Sequence, residues 1–409
     1  MNKAYKNLLF LGMAAMLVFA PVARGAVSIW SLTPILLIEA ILIFAWMWRL
    51  NNASGKIAGS EHRGVDGLIA MLFAFAFLSF VFSKYKHPSF YALLELAGYI
   101  GIYYLVINEF DRNMIKRLVA LVIFMGTALS AYGLLQYFGL LGRSWWYPQG
   151  FLSATYVNHN HFAGYLELVI PLALAAGLIR RAQRSMMRRL WLSVSIVVMA
   201  AAFILTQSRG AWLALSISLF VMAAVAAKSL SRDKKGILIL VLVAALAASL
   251  IYFGRDVISQ RIEGTTNAEG REASFETRLK IWRGTLEMIK ENPITGMGIG
   301  TFIWEFPRFR PEGLNVQANF AHNDYLEIAA EMGIPAALII ISLFIMVVVT
   351  GLKKGESDPY AFGCAIGVLS LSLHGLVDFN FHIPANMLLV TVYAAIIMAR
   401  PAMDAESRT

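Results

Sequence analysis

Apolar runs of about twenty residues recur along almost the whole chain and constrain its fold more than any other feature. A membrane-crossing segment of this kind has to be a helix, because only a helix satisfies its own backbone hydrogen bonds in hydrocarbon. About twelve candidate spans can be marked, over residues 8–23, 29–48, 66–83, 89–107, 115–139, 162–179, 190–206, 211–228, 236–253, 323–350, 360–377 and 384–400. The 409 residues are 58% hydrophobic and 15% charged, with mean hydropathy +0.64, values that exclude an ordinary soluble domain. The fold expected is an all-α polytopic membrane protein with one large hydrophilic loop. The first span follows Lys3 and Lys6 and reads as a retained helix, since so many spans follow it. Cys364 is the single cysteine and forms no internal disulfide.

Orientation follows from lysine and arginine, which stay on the cytoplasmic side of short loops. With the N-terminus inside, the inner segments carry Lys3, Lys6, Arg49, Arg63, Lys116, Arg117, Arg180, Arg181, Arg188, Arg189, Lys234, Lys235, Lys353 and Lys354, among others. The short outer loops carry only Arg24, Lys84, Lys86, Arg143 and Arg209. The bias is roughly four to one and predicts cytoplasmic termini. The net charge of +10 is therefore mainly a topology signal, with no call for nucleic acid. The chain divides into N-terminal spans (1–150), central spans (151–253), the outer loop (254–321) and C-terminal spans (322–409). Within the loop, Leu279, Trp282, Leu286 and Ile289 form the apolar stripe of an amphipathic helix over residues 275–292. Gly296, Gly298 and Gly300 then read as a turn, with a backbone anion nest as the sharper alternative.

Four polar clusters fall where even-numbered spans begin on the outer side: Asn158-His159-Asn160-His161, Ser208-Arg209-Gly210, His322-Asn323-Asp324 and the hairpin from Asp378 to Asn386. A helix N-terminus presents free N–H groups and the positive end of its dipole, so together with Arg209 these clusters predict an electropositive pocket for phosphate or pyrophosphate. His322 ends the loop and adjoins a span. An imidazole there, open to water on one side, can act as a general base. Asp324, Glu327 and Glu331 follow along one helical face, where carboxylates orient partners or mark a substrate route. Asp378 and His382 could pair, as a structural clasp or as part of the chemistry. Alternating Asn and His near residue 159 can mimic a metal site, but no thiolate or His-Glu spacing completes a tetrahedral set, and no metal or cofactor is expected. Glu331-Met332-Gly333-Ile334-Pro335 offers a helix break, and Glu95 and Glu167 lie inside spans.

Taken together, the segments Val157-Asn158-His159-Asn160-His161-Phe162-Ala163-Gly164, Gln207-Ser208-Arg209-Gly210-Ala211-Trp212, Pro293-Ile294-Thr295-Gly296-Met297-Gly298, Ala321-His322-Asn323-Asp324-Tyr325-Leu326-Glu327 and Val377-Asp378-Phe379-Asn380 resemble the O-antigen ligase and polymerase superfamily of bacterial membrane glycosyltransferases. That resemblance implies a multi-span inner-membrane enzyme with a large periplasmic loop, working without metal on glycans carried by undecaprenyl pyrophosphate. It implies an acceptor that is another glycan or lipid-linked saccharide. It assigns His322 as catalytic base with Asp324 orienting it, and Arg209 and Arg278 to the leaving pyrophosphate. Asn158, His159, Asn160, Asn323, Glu327, Asp378 and His382 would line the substrate pocket. Gly333 sits at the spacing from His322 that ligases show, but Ile334-Pro335-Ala336 departs from their pattern, so ligase and polymerase both stay open. A transporter of bicarbonate or another small anion is the alternative, since a positive cavity between helices would serve it too.

Overall fold

The computed structural model describes residues 3–52, 57, 59, 63–141, 150–177, 185–226, 275–355 and 357–399. Every regular element among them is helical. Eight helices are long and apolar enough to cross a membrane. These are α1 (Lys3–Val22), α2 (Ile29–Asn52), α3 (Arg63–Phe82), α4 (Lys86–Glu109), α5 (Arg112–Tyr137), α7 (Met186–Leu205), α8 (Arg209–Ala226) and α12 (Ile334–Lys354). Helix α6 (His159–Gly177) and the shorter apolar helices α13 (Pro359–His374) and α14 (Pro384–Met398) occupy three more of the expected spans. The expected span over 236–253 and the first part of the loop, 254–274, lie outside the described residues. Three non-spanning helices complete the set: α9 (Phe275–Glu291), the single turn α10 (Phe302–Glu305) and α11 (Asp324–Met332).

Helix α6 is buried along almost its whole length, whereas the spanning helices around it expose large apolar side chains such as Leu37, Phe44 and Val197. That inversion is the pattern of a bundle bathed in lipid, where the outward faces need be no less apolar than the inward ones. Helix α13 lies along α6, and small residues set how closely. A Cβ on Gly367 would stand 2.9 Å from the Leu168 carbonyl oxygen, and one on Gly363 would stand 2.9 Å from the Leu172 Cα. Backbones approach in this way only where a side chain is missing. Helices α8, α12 and α14 also pack on α13, and α14 reaches across to α4.

The tenth expected span breaks where its sequence suggests. Gly333 has φ +88°, so α11 ends and α12 starts in a new direction, with Pro335 in its first turn. The break is held from outside: Ile334 N–H donates to the Pro293 carbonyl at 2.8 Å, and Met297 and Gly298 N–H groups donate to the carbonyls of Ala330 and Glu331. The glycine run 296–300 is a turn, with φ positive at all three glycines. The N–H groups of Gly300 and of Phe302 just beyond the run donate to the carboxyl group of Glu331, at 2.9 Å and 2.8 Å. A Cβ at residue 333 would stand 2.0 Å from the Ile294 carbonyl oxygen. Gly333→Ala therefore strains the backbone and severs this junction, and the variant is expected to lose at least about 2 kcal/mol of stability, read as a fall in thermal midpoint in detergent.

Helix α9 is amphipathic as expected, but its buried face overlaps the predicted stripe only at Ile289 and the half-buried Trp282. Ile281, Thr285, Met288 and Ile289 are buried and pack toward α11, while Leu279 and Leu286 are 38% and 45% exposed.

Candidate functional site

His322 is positioned by its two neighbours. On one side, the Ala321 carbonyl accepts from Trp282 Nε1 of α9 at 3.0 Å, and the Ala321 N–H donates to Glu327 Oε2 at 2.6 Å. On the other, the Asn323 side chain caps α11, accepting from the N–H groups of Tyr325 and Leu326. Between these fixed points His322 adopts φ +52°, a left-handed conformation that a non-glycine residue holds only when its surroundings impose it. Its ring meets Phe379 edge-on at 4.9 Å and stays 23% exposed.

The carboxylate beside His322 is Asp378, not Asp324. Asp378 Oδ1 lies 3.8 Å from His322 Nδ1, an ion-pair separation longer than a hydrogen bond, and accepts from the Phe379 N–H at 2.8 Å. Its other oxygen, Oδ2, lies 3.8 Å from His374 Nε2 at the end of α13. Burial works against the ionised form of Asp378, but His322, His374, Arg278 and His161 outweigh it and hold the carboxyl well below the usual carboxylate range. The site thus keeps one ionised carboxylate among four basic side chains.

Asp324 belongs to a second cluster. His382 Nδ1 lies 3.0 Å from Asp324 Oδ1, the Phe381 N–H reaches both Asp324 oxygens at 3.2 Å, and His382 Nε2 is 3.5 Å from Glu327 Oε1. The expected Asp378–His382 pair and the expected Asp324–His322 pair are therefore exchanged: each aspartate serves the other histidine. The reason lies in the hairpin between α13 and α14. Asp324 N–H donates to the carbonyls of Gly375 and Asp378, drawing the start of α11 under the hairpin so that His382 closes over Asp324. Burial opposes charge on His382, yet Glu327, Asp324 and Glu331 raise it to about 10, so this imidazole is a cation through the neutral range.

The remaining expected residues reach the same end of the bundle by separate routes. Asn158 caps α6, its side chain accepting from the Asn160 N–H at 2.8 Å. His159 Nδ1 is 2.5 Å from the Thr206 carbonyl at the end of α7, and its ring stacks on Phe151. Asn160 is buried in the first turn of α6. Arg209 stands exposed at the first position of α8. The following Gly210 lets α8 close on the hairpin, since a Cβ there would meet Val377 at 2.9 Å and His374 at 3.0 Å. Arg278 of α9 arrives at that same point: its Nη1 donates to the Val377 carbonyl at 2.7 Å, and its buried Nε has no partner among the described residues.

Three groups join the site unforeseen. His161, read only as one of an interfacial cluster, packs edge-on against Phe379 at 4.7 Å with neither ring nitrogen hydrogen-bonded among the described residues. Phe379 is thus shared by His161 and His322, and Phe320 stacks on it at 4.2 Å. Glu167 takes His374 and Ser370 as partners, at 2.7 Å each. The spacing of four between His374 and Asp378 carried a signal for their contact; nothing in the sequence tied either to Glu167 on α6.

Fold and site together define a multi-span helical membrane protein that gathers imidazoles, carboxylates and arginines where the ends of α6, α8, α11, α13 and α14 meet. Residues 194–341 match the family model described as O-Antigen ligase, which supports membership of the O-antigen ligase superfamily. That match takes in Arg209, Arg278, His322, Asp324 and Glu327, and it supports a membrane glycosyltransferase-like role in polysaccharide assembly. No match was found among curated proteins.

Proposed function

We propose that the chain transfers, or polymerises, a glycan from undecaprenyl pyrophosphate to a saccharide acceptor on the periplasmic face of the bacterial inner membrane. The observation that carries this reading is the convergence of His322, Asp378 and Arg278 on one hairpin. In an inverting displacement, the acceptor hydroxyl oxygen attacks the anomeric carbon and the bond from that carbon to the pyrophosphate oxygen breaks. The electron pair leaves with the pyrophosphate. His322 Nε2 takes the hydroxyl proton, because Nδ1 faces Asp378, whose negative charge stabilises the imidazolium that forms. Arg278, through its unpaired Nε, and Arg209, at the mouth of α8, receive the charge that develops on the leaving group. Periplasmic orientation rests on the lysine and arginine bias of the loops. The Oδ1 atoms of Asn158 and Asn323 cap α6 and α11 and hold both helices in place at the pocket that these two residues would line.

The test is transfer from an extracted undecaprenyl-pyrophosphate-linked glycan in proteoliposomes, with lipid A core and with lipid-linked glycan as separate acceptors, with and without chelator. Wild-type transfer that a chelator leaves unchanged supports the reading, and the acceptor used separates ligase from polymerase. Arg278→Ala is expected to lower kcat by about 10²-fold, the usual loss when one donor to a developing anion is removed. Lysine at 278 keeps the charge but not the fork that reaches both Val377 and the leaving group, and it restores activity only in part. Anion uptake by the same liposomes without any transfer would overturn the proposal.

A further inference from the structure

Beneath the hairpin a buried polar series leads to Asp378, and the transfer reaction, as set out above, uses none of its other members. Ser370 Oγ donates to Glu167 Oε1 at 2.7 Å, Glu167 Oε2 lies 2.7 Å from His374 Nδ1, and His374 Nε2 faces Asp378 Oδ2 at 3.8 Å. Glu167, Ser370 and His374 are each at most 1% exposed. A carboxylate placed in the middle of a buried helix is costly, and it persists where it is paired and has a task.

The ring of His374 has a carboxylate oxygen on each side, and a neutral imidazole offers a proton to only one of them. The arrangement fits the imidazolium, balanced by Glu167 and fixed in angle by Ser370. We infer that Glu167 and His374 are positioning residues for the transfer step: they hold a buried cation against the far oxygen of Asp378 and so set the orientation and effective charge that Asp378 presents to His322. This inference rests on the reading of His322 as the base. During transfer Asp378 then stands between two imidazoles, one permanent on Oδ2 and one formed transiently on Oδ1. The other titratable or charged groups facing Asp378 are Arg278 from α9, His161 from α6 and Asp324 from α11.

The sign of the effect follows from charge. In Glu167→Gln, His374 loses its counter-ion and with it the tendency to stay protonated. Asp378 is then less compensated and favours the protonated form of His322. Since the base has to be neutral to act, the acid limb of kcat/KM moves to higher pH, by about half a unit to one unit. At neutral pH kcat falls by about 3- to 10-fold, the most that such a shift removes from the neutral fraction of the base, while KM for the lipid-linked donor changes by less than about twofold, because neither residue lies at the exposed mouth of the site. A merely structural role would lower the amount of active protein without moving the limb.

The experiment is a kcat/KM profile against pH for wild type, Glu167→Gln, Ser370→Ala and His322→Ala, in the proteoliposome assay with the extracted undecaprenyl-pyrophosphate-linked glycan. Ser370→Ala removes one hydrogen bond and no charge; it provides the reading if Glu167→Gln does not fold, and its limb is expected to move in the same direction by less. Limbs that coincide with wild type in both variants, while His322→Ala is inactive, overturn the inference and leave the proposed function standing. Absence of transfer by wild type at every pH overturns the proposed function itself.

Discussion

Replacing His322 by alanine is expected to lower kcat for glycan transfer by about 10²- to 10⁴-fold while leaving the fold and donor KM nearly unchanged. The magnitude is that of a general base removed from an otherwise intact site. The fold is spared because the buried Nδ1 of His322 makes no hydrogen bond among the described residues: Asp378 lies 3.8 Å from it, and the ring meets Phe379 edge-on. Relief of the left-handed backbone at residue 322 does not offset the loss, since alanine meets the same steric penalty there. Glutamine at 322 keeps a polar side chain but cannot accept the proton, and it is expected to be as inactive as alanine. Thermal unfolding in detergent, read beside initial rates, separates this outcome from misfolding.

Asp324→Ala is expected to act on stability instead. Asp324 has no exposure at all; its carboxylate holds His382 and the Phe381 N–H, and removing it takes away the shortest of the ion pairs made by His382, leaving Glu327 at 3.5 Å and the more distant Glu331. Breaking a buried ion pair costs about 3–5 kcal/mol, and the 23% exposure of His382 places the loss near about 3 kcal/mol. The pH dependence carries a sign that checks the assignment. Glu327 and Asp324 outweigh burial and raise His382 to about 10. Stability from its folded-state protonation is therefore complete below its ordinary value of about 6.5 and is lost as pH rises through about 10. Wild type is expected to lose more thermal stability than Asp324→Ala as pH rises from about 6.5 to about 10, and parallel curves for the two would contradict the pairing.

The apolar runs made the bundle legible from sequence, and the polar clusters at residues 158–161, 208–210, 322–324 and 378–386 were legible as one site because they recur at the starts of alternate spans. Which carboxylate serves which histidine was not legible. Asp324 is two residues from His322 and Asp378 is four from His382, yet Asp324 N–H bonds to the hairpin carbonyls and crosses the pairs. Helix α9 misled for a different reason: it carries apolar residues on two faces, and periodicity alone does not tell the face covered by α11 from the one left exposed. Glu167 was legible as an intramembrane carboxylate, but its partners His374 and Ser370 lie more than 200 positions away, on the helix whose glycines admit α6.

The most direct measurement of the central claim is the anomeric configuration of product formed from an undecaprenyl-pyrophosphate-linked glycan by wild type and by His322→Ala, at matched amounts of folded protein in proteoliposomes. The account predicts product of inverted configuration from wild type and none above background from the variant. Product from His322→Ala at the wild-type rate, or retained configuration from either protein, would contradict a single displacement with His322 as its base.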